Sequence, residues 1–317
     1  MTERGIYKMK RFQRKKAYAL RIENGLKCGT SWFPLLLLIP ALFNFFLFWM
    51  YPNFNSILLS FQETSTGEWT FGNYEWVLQE LFATRDGVFV IALRNTLLFF
   101  TEGYFITQTF NVVLAYFIYK KIFLGKFFRF ILYMPNMLAG IILVSIYKNL
   151  IGPEGPIVTA LLNMGLIDQP IMFLNTTKYA IWASLAYSLW PCVGGVFLWC
   201  SGAMARIPKD LFEAASLDGI TPWKEFIHIV LPMISGTLST LYIIGIAGIL
   251  GSGGATLYLT FGEYETTTLA FWIFKQVYTG GGNGTSSALG ILMTLVTIPL
   301  IFFVKWLAKK VSAEVAY

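Results

Sequence analysis

The sequence predicts an all-α membrane protein with six transmembrane helices. Hydrophobic residues make up 56% of the 317-residue chain and charged residues only 13%, the balance of a polytopic membrane protein rather than a soluble domain. Six apolar runs reach the roughly 20 residues needed to cross a hydrocarbon core. The Lys and Arg residues are also shared unevenly among the connections, as a fixed membrane topology requires.

The formal net charge of +7 would suit a nucleic-acid partner if it were spread over a folded face. It is not. Up to Cys28 the chain carries nine Lys and Arg against Glu3 and Glu23, so this arm holds the whole excess. Residues 1–31 therefore read as a basic cytoplasmic N-terminal arm lying beside anionic lipid, and residues 32–317 as the transmembrane domain. No nucleic-acid partner is expected. Cys28, Cys192 and Cys200 suggest neither a metal cluster nor a disulfide framework.

Span one is expected from about Trp32 to Leu59, punctuated by Pro34, Pro40 and Pro52. Span two covers Val88 to Tyr119, long enough to tilt or project from the bilayer. Spans three and four follow at Phe127 to Leu150 and Tyr179 to Met204. Spans five and six lie at Phe226 to Leu250 and Ser287 to Leu307. The arm, Lys120, Lys121, Lys126 and Arg129, then Arg206, Lys209 and Lys224, and finally Lys305, Lys309 and Lys310 hold nineteen of the 24 cations. That bias puts both termini, and the connection between spans four and five, in the cytoplasm.

Between spans one and two, Phe71-Gly72-Asn73-Tyr74 reads as a turn opening an amphipathic surface helix. Gly152-Pro153-Glu154-Gly155-Pro156 is a strong turn signal after span three. Thr268 to Tyr278 is aromatic and too short to span, so a re-entrant or interfacial helix is expected there.

The connection at 206–225 is the segment with chemistry. Pro208 suits the first turn of a helix, and Asp210 and Glu213 follow where carboxylates complement the positive end of the helix dipole. Gly219 after Asp218 is a helix stop. Thr221 is the expected cap of a second helix with Pro222 in its first position, and Pro232 should loosen that helix as it enters span five. Ala214, Ala215 and Ser216 would let another surface approach closely. An ordinary helical hairpin would share these features.

The spacing Glu213-Ala214-Ala215, three residues, Gly219, nine residues, Ile229-Val230-Leu231-Pro232 resembles the EAA loop of membrane subunits of binding-protein-dependent ABC importers. Phe71-Gly72-Asn73-Tyr74, Arg94-Asn95-Thr96-Leu97-Leu98, Tyr133-Met134-Pro135, Thr267-Thr268-Leu269 and Ser287-Ala288-Leu289 are similar to the sugar and glycerol-phosphate branch, the maltose-type permeases. The resemblance implies a type I importer permease in a prokaryotic plasma membrane. It further implies that Glu213, Ala214, Ala215, Asp218 and Gly219 form a coupling element seated on a separate ATPase. The implied partners are a second permease subunit in a heterodimer, two ATPase subunits and an extracytoplasmic solute-binding protein. ATP and magnesium would be bound by the ATPase, with no cofactor on this chain, and the cargo would be a carbohydrate, an oligosaccharide by preference. One departure stands out: the Gly-Gly-Gly-Pro run common after span five in that family is replaced by Leu259-Thr260 and then Phe261-Gly262-Glu263-Tyr264-Glu265.

Glu102 lies well inside span two, where an unpaired carboxylate is expensive. It could line a water-filled path or pair structurally with a neighbour, and the structural reading is preferred. Tyr187 and Trp190, near the middle of span four, are the aromatic candidates for a sugar pathway, although packing and interfacial anchoring use the same residue types. Gln108 and Asn111 read as interhelical hydrogen-bonding groups, and His228 as a surface residue. No Gly-x-x-x-x-Gly-Lys-Ser/Thr sequence occurs, so the chain is not expected to be an enzyme that hydrolyses ATP. The alternative, a stand-alone secondary transporter or channel, would call for paired intramembrane charges or repeat symmetry. An intramembrane enzyme would need converging His, Asp, Glu or Cys residues within the spans, a pattern the sequence lacks.

Overall fold

The computed structural model describes residues 32–63, 66–83, 87–120, 123–192, 194–253, 256–280 and 282–313. The predicted basic arm at 1–31 lies outside them. By internal contacts the chain divides into two units, Met1–Leu58 and Leu59–Tyr317.

Span one is a continuous helix despite its prolines, built from Trp32–Asn44, a π-helical Phe45–Met50 and Tyr51–Ser60. The widened turn lies just before Pro52, where it makes room for a ring that would otherwise press on the carbonyl four residues back. The same device recurs in span five, where π-helical Phe226–Val230 precedes Pro232. Span two runs from Val88 to Tyr119 as predicted, with a π-helical segment at Glu102–Thr107.

Spans three to five are less straight than their apolar runs suggest. The run read as span three is two helices, Gly125–Met137 and one beginning at Gly140, bent through 104°. Pro135 weakens the last turn, and Leu138 and Ala139 are extended (ψ 148° and 138°), so the chain changes direction before Gly140. Span four, Thr177–Met204, is interrupted at Gly194. Span five is bent by 72° between Pro222–Met233 and Ser235–Ala247. Span six begins earlier than expected and runs from Asn283 to Ala313. Among the described residues, four helices are thus long and apolar enough to cross a membrane, or up to six if each bent pair is one span.

The surface helix forms at Gly72–Ala83 and the short aromatic helix at Leu269–Tyr278, with Thr268 Oγ1 accepting from Phe271 N to cap it. A helix at Pro156–Asn163, after the predicted glycine–proline turn, was not anticipated from the sequence. Val77, Phe89, Leu269, Trp272 and Leu289 form one buried cluster, joining both short helices to the starts of spans two and six. At the opposite end of span two, Tyr116, Phe197, Met204, Phe226 and Val230 form another that binds spans two, four and five. Packing of this kind, rather than exclusion of water, holds helices together in lipid.

The segment that departs from the importer pattern is tightly held. Phe261, Tyr264 and Glu265 all have positive φ (52°, 54° and 57°), a conformation that costs a side-chain-bearing residue about 1 kcal/mol or more. Fully buried Asn95 of span two donates from Nδ2 to the Glu265 and Thr267 carbonyls at 2.7 and 2.9 Å. Thr267 Oγ1 donates to the Gly262 carbonyl at 2.6 Å. Asn95→Ala strands two carbonyls and is expected to destabilise the protein by about 1–3 kcal/mol. Limited proteolysis should then cut first within residues 260–267; unchanged protection there would refute the role.

Candidate functional site

The connection between spans four and five folds as helix, glycine turn, helix. Its first helix is Lys209–Leu217. Pro208 stands one place earlier than expected, at the cap, because its ψ of 134° is extended and only the next residue turns helical. Asp218 ends the helix, Gly219 follows at φ 66°, and Ile220 N closes back onto the Ala215 carbonyl at 3.0 Å. Only glycine takes that conformation without strain. Thr221 occupies the cap position of the second helix, Pro222–Glu225, but its hydroxyl makes no capping bond.

Glu213, Ala214, Ser216, Leu217, Asp218 and Gly219 are exposed, and Leu217 is 89% exposed. Ala215 is not. At 3% exposure it turns toward its own chain, so among the predicted small residues it serves the packing of the helix rather than its outer face. Beside the helix lies an open groove of about 830 Å³ that includes Ala205, Lys209, Phe212, Glu213, Ser216 and Leu217. The helix is short, charged and small-residued on its outer side, and is joined by chain to two spans.

Residues 109–313, well over half of the chain and including this loop, match the family described as the binding-protein-dependent transport system inner membrane component. The chain belongs to this family. It is similar to the alpha-glucoside transport system permease protein AglF of Rhizobium meliloti, 23% identical over 299 residues that cover 92% of this chain and 87% of that one. It is also similar to the arabinooligosaccharides transport system permease protein AraP of Bacillus subtilis, 25% identical over 276 residues, covering 84% and 85%. Among solved structures, a chain of a bacterial ABC transporter involved in import of the acidic polysaccharide alginate shares the fold. It superposes with a TM-score of 0.78 at 22% identity, covering 92% of this chain and 99% of that one. The protein is a multi-pass inner membrane component.

The loop of this membrane component is fastened to span two by residues that the sequence alone did not single out. Glu225, 4% exposed, accepts from Lys120 Nζ at 2.7 Å. The Tyr116 hydroxyl lies 2.9 Å from the Pro222 carbonyl and 3.1 Å from Glu225 Oε1, its one hydrogen shared between them. Lys120 Nζ also sits 5.3 Å from the centre of the Phe212 ring on the first loop helix. A cation ending span two and a carboxylate opening span five were the available signal. Nothing in their local spacing marks them as partners.

Within the spans, Glu102 is 8% exposed and bridges two helices. Its Oε1 accepts from Thr107 Oγ1 at 2.6 Å and its Oε2 from Ser188 Oγ of span four at 2.7 Å. Asn111 also ties spans two and four, its Oδ1 accepting from Gly194 N at 3.2 Å. Gln108 does not: its Nε2 has no hydrogen-bond partner among the described residues. Tyr187 is 5% exposed and packs edge-on against Tyr147, ring centres 5.2 Å apart, whereas Trp190 is 36% exposed. Of the three pathway candidates, Glu102 and Tyr187 are thus buried within the chain and Trp190 is the most open. Glu102→Ala should lower the thermal midpoint of detergent-solubilised protein, at a cost of about 1–2 kcal/mol. Glu102→Gln, which keeps an acceptor, should lose less than half of that; an equal loss would refute the bridging role. His228 is exposed, with Nδ1 2.9 Å from the Lys224 carbonyl, consistent with a surface residue.

Proposed function

We propose that this chain is one membrane subunit of an ATP-driven carbohydrate importer, forming half of the translocation path and taking its drive from a separate ATPase. The observation that carries the reading is the exposed helix Lys209–Leu217 with its Gly219 stop, set at the mouth of a groove and joined rigidly to spans four and five. Its outer residues Glu213, Ala214, Asp218 and Gly219 meet the ATPase, with Glu213 paired to a basic residue there, while Ala215 holds the helix to its base. This side is cytoplasmic, as are both termini, because the Lys and Arg bias requires it.

The carbohydrate assignment is supported by relatives named for α-glucoside, arabinooligosaccharide and lactose transport. The proposed assembly has a second, similar permease subunit, two ATPase subunits that bind ATP and magnesium, and an extracytoplasmic solute-binding protein. A bacterial alginate ABC transporter in complex with a periplasmic protein carrying an alginate pentasaccharide supports the last of these. Solute moves as the loop's motion rocks the spans between two packed arrangements. The test is purification of the tagged chain with whatever it holds, followed by ATP hydrolysis with the binding protein and each carbohydrate. Recovery of an ATPase stimulated by one of them is expected. A stable homo-oligomer that transports with no ATPase attached would overturn the reading.

A further inference from the structure

We infer that Glu225 is a positioning residue that carries the motion of the loop into span two, and through it to the far side of the membrane. The inference rests on the coupling role proposed above for the helix Lys209–Leu217 and its Gly219 stop. The loop is joined by chain only to spans four and five, so any transmission to span two must pass through side chains.

Those side chains converge at one place. Glu225 heads span five and is buried, yet it holds both the Lys120 ammonium at the end of span two and the Tyr116 hydroxyl one turn earlier. Rings close the same junction, with Tyr116 5.0 Å from Phe226, Phe117 5.8 Å from Trp223, and Tyr119 5.7 Å from Phe212. Lys120 therefore touches both loop helices, Phe212 on the first and Glu225 on the second. A carboxylate taken out of water and matched to one cation cannot slide past it without exposing an unpaired charge. The junction accordingly moves as a unit. Ring packing alone would allow span two to slip.

The other end of span two completes the connection. Asn95 lies roughly 38 Å of helix rise from Lys120 and grips the backbone of the strained segment at Glu265 and Thr267. Span two is thus a single helix tied at one end to the ATPase-facing loop and at the other to the connection between spans five and six. On the topology proposed above, that connection faces the binding protein. Glu225 is where this helix is engaged from the cytoplasm.

The test uses the whole complex in proteoliposomes with its ATPase, its binding protein and a mixture of α-glucoside, arabinooligosaccharide and lactose. The quantity read is the fold-stimulation of ATP hydrolysis by the loaded binding protein. Glu225 is buried and does not belong to the docking face, so Glu225→Gln should retain the ATPase and its unstimulated hydrolysis while stimulation falls about fivefold. Glu225→Asp, which restores the charge, should recover most of it. If Glu225→Gln does not assemble, Tyr116→Phe is read instead and should lose about twofold. Unchanged stimulation, or a lowered thermal midpoint with unchanged stimulation, marks a merely structural contact and overturns the inference. A wild-type complex that recovers no ATPase overturns the coupling reading itself, and this inference with it.

Discussion

Gly194→Ala is expected to be strongly destabilising. Gly194 has φ 138° and ψ −43°, a backbone conformation closed to residues with a Cβ at a cost of about 1–3 kcal/mol. The added carbon would stand 2.6 Å from Asn136 Nδ2 and 2.9 Å from the Leu132 carbonyl oxygen of span three. The amide can move, but the carbonyl belongs to a helix. Moving Asn136 would also break its bond to the Pro191 carbonyl at 2.9 Å, and tilting Gly194 would break the one from its N–H to Asn111. With overpacking at about 1–3 kcal/mol, the total is about 2–6 kcal/mol. Yield and thermal midpoint in detergent are the measurements, with Gly202→Ala in the same span as control, because nothing lies within 4 Å of a Cβ there. Equal midpoints for the two variants would refute the argument.

Glu213→Lys should have the largest effect on function. Glu213 is exposed on the first loop helix and makes no salt bridge among the described residues, so reversing its charge should leave the fold alone. Against a basic residue on the ATPase, the change replaces attraction by repulsion, and losing one partner of a docked charge pair costs about 2–5 kcal/mol. ATPase recovery should therefore drop by at least ~30-fold, with solute uptake reduced to background. Glu213→Gln should fall between. Normal uptake and co-purification of Glu213→Lys would remove Glu213 from the docking surface.

Much of this protein was legible because lipid leaves the backbone few options. A run of apolar residues long enough to cross must be helical, so span two could be placed at Val88 to Tyr119 from hydropathy alone. The loop was legible for a different reason. Pro222 and Gly219 impose local geometry that survives in any context. Bends were harder to read. Pro135 and Pro232 mark weak turns, but whether a weak turn bends by 104° or 72°, or leaves the helix unbroken as at Pro40, is not set by the proline alone. Pro208 and Ala215 missed their expected places for the same kind of reason, since a shift of one residue turns a side chain by a large angle around a helix.

The sequence by itself determined the class, the placing of the apolar runs and the loop at Glu213 to Pro232, because those follow from hydropathy and local backbone chemistry. Only the tertiary structure decided the pairings. Glu102 meets Ser188, Asn95 holds Glu265 and Thr267, and Lys120 meets Glu225. Each partner lies far off along the chain and is brought close by helix packing. In a low-dielectric interior, a polar side chain is costly unless it finds such a partner.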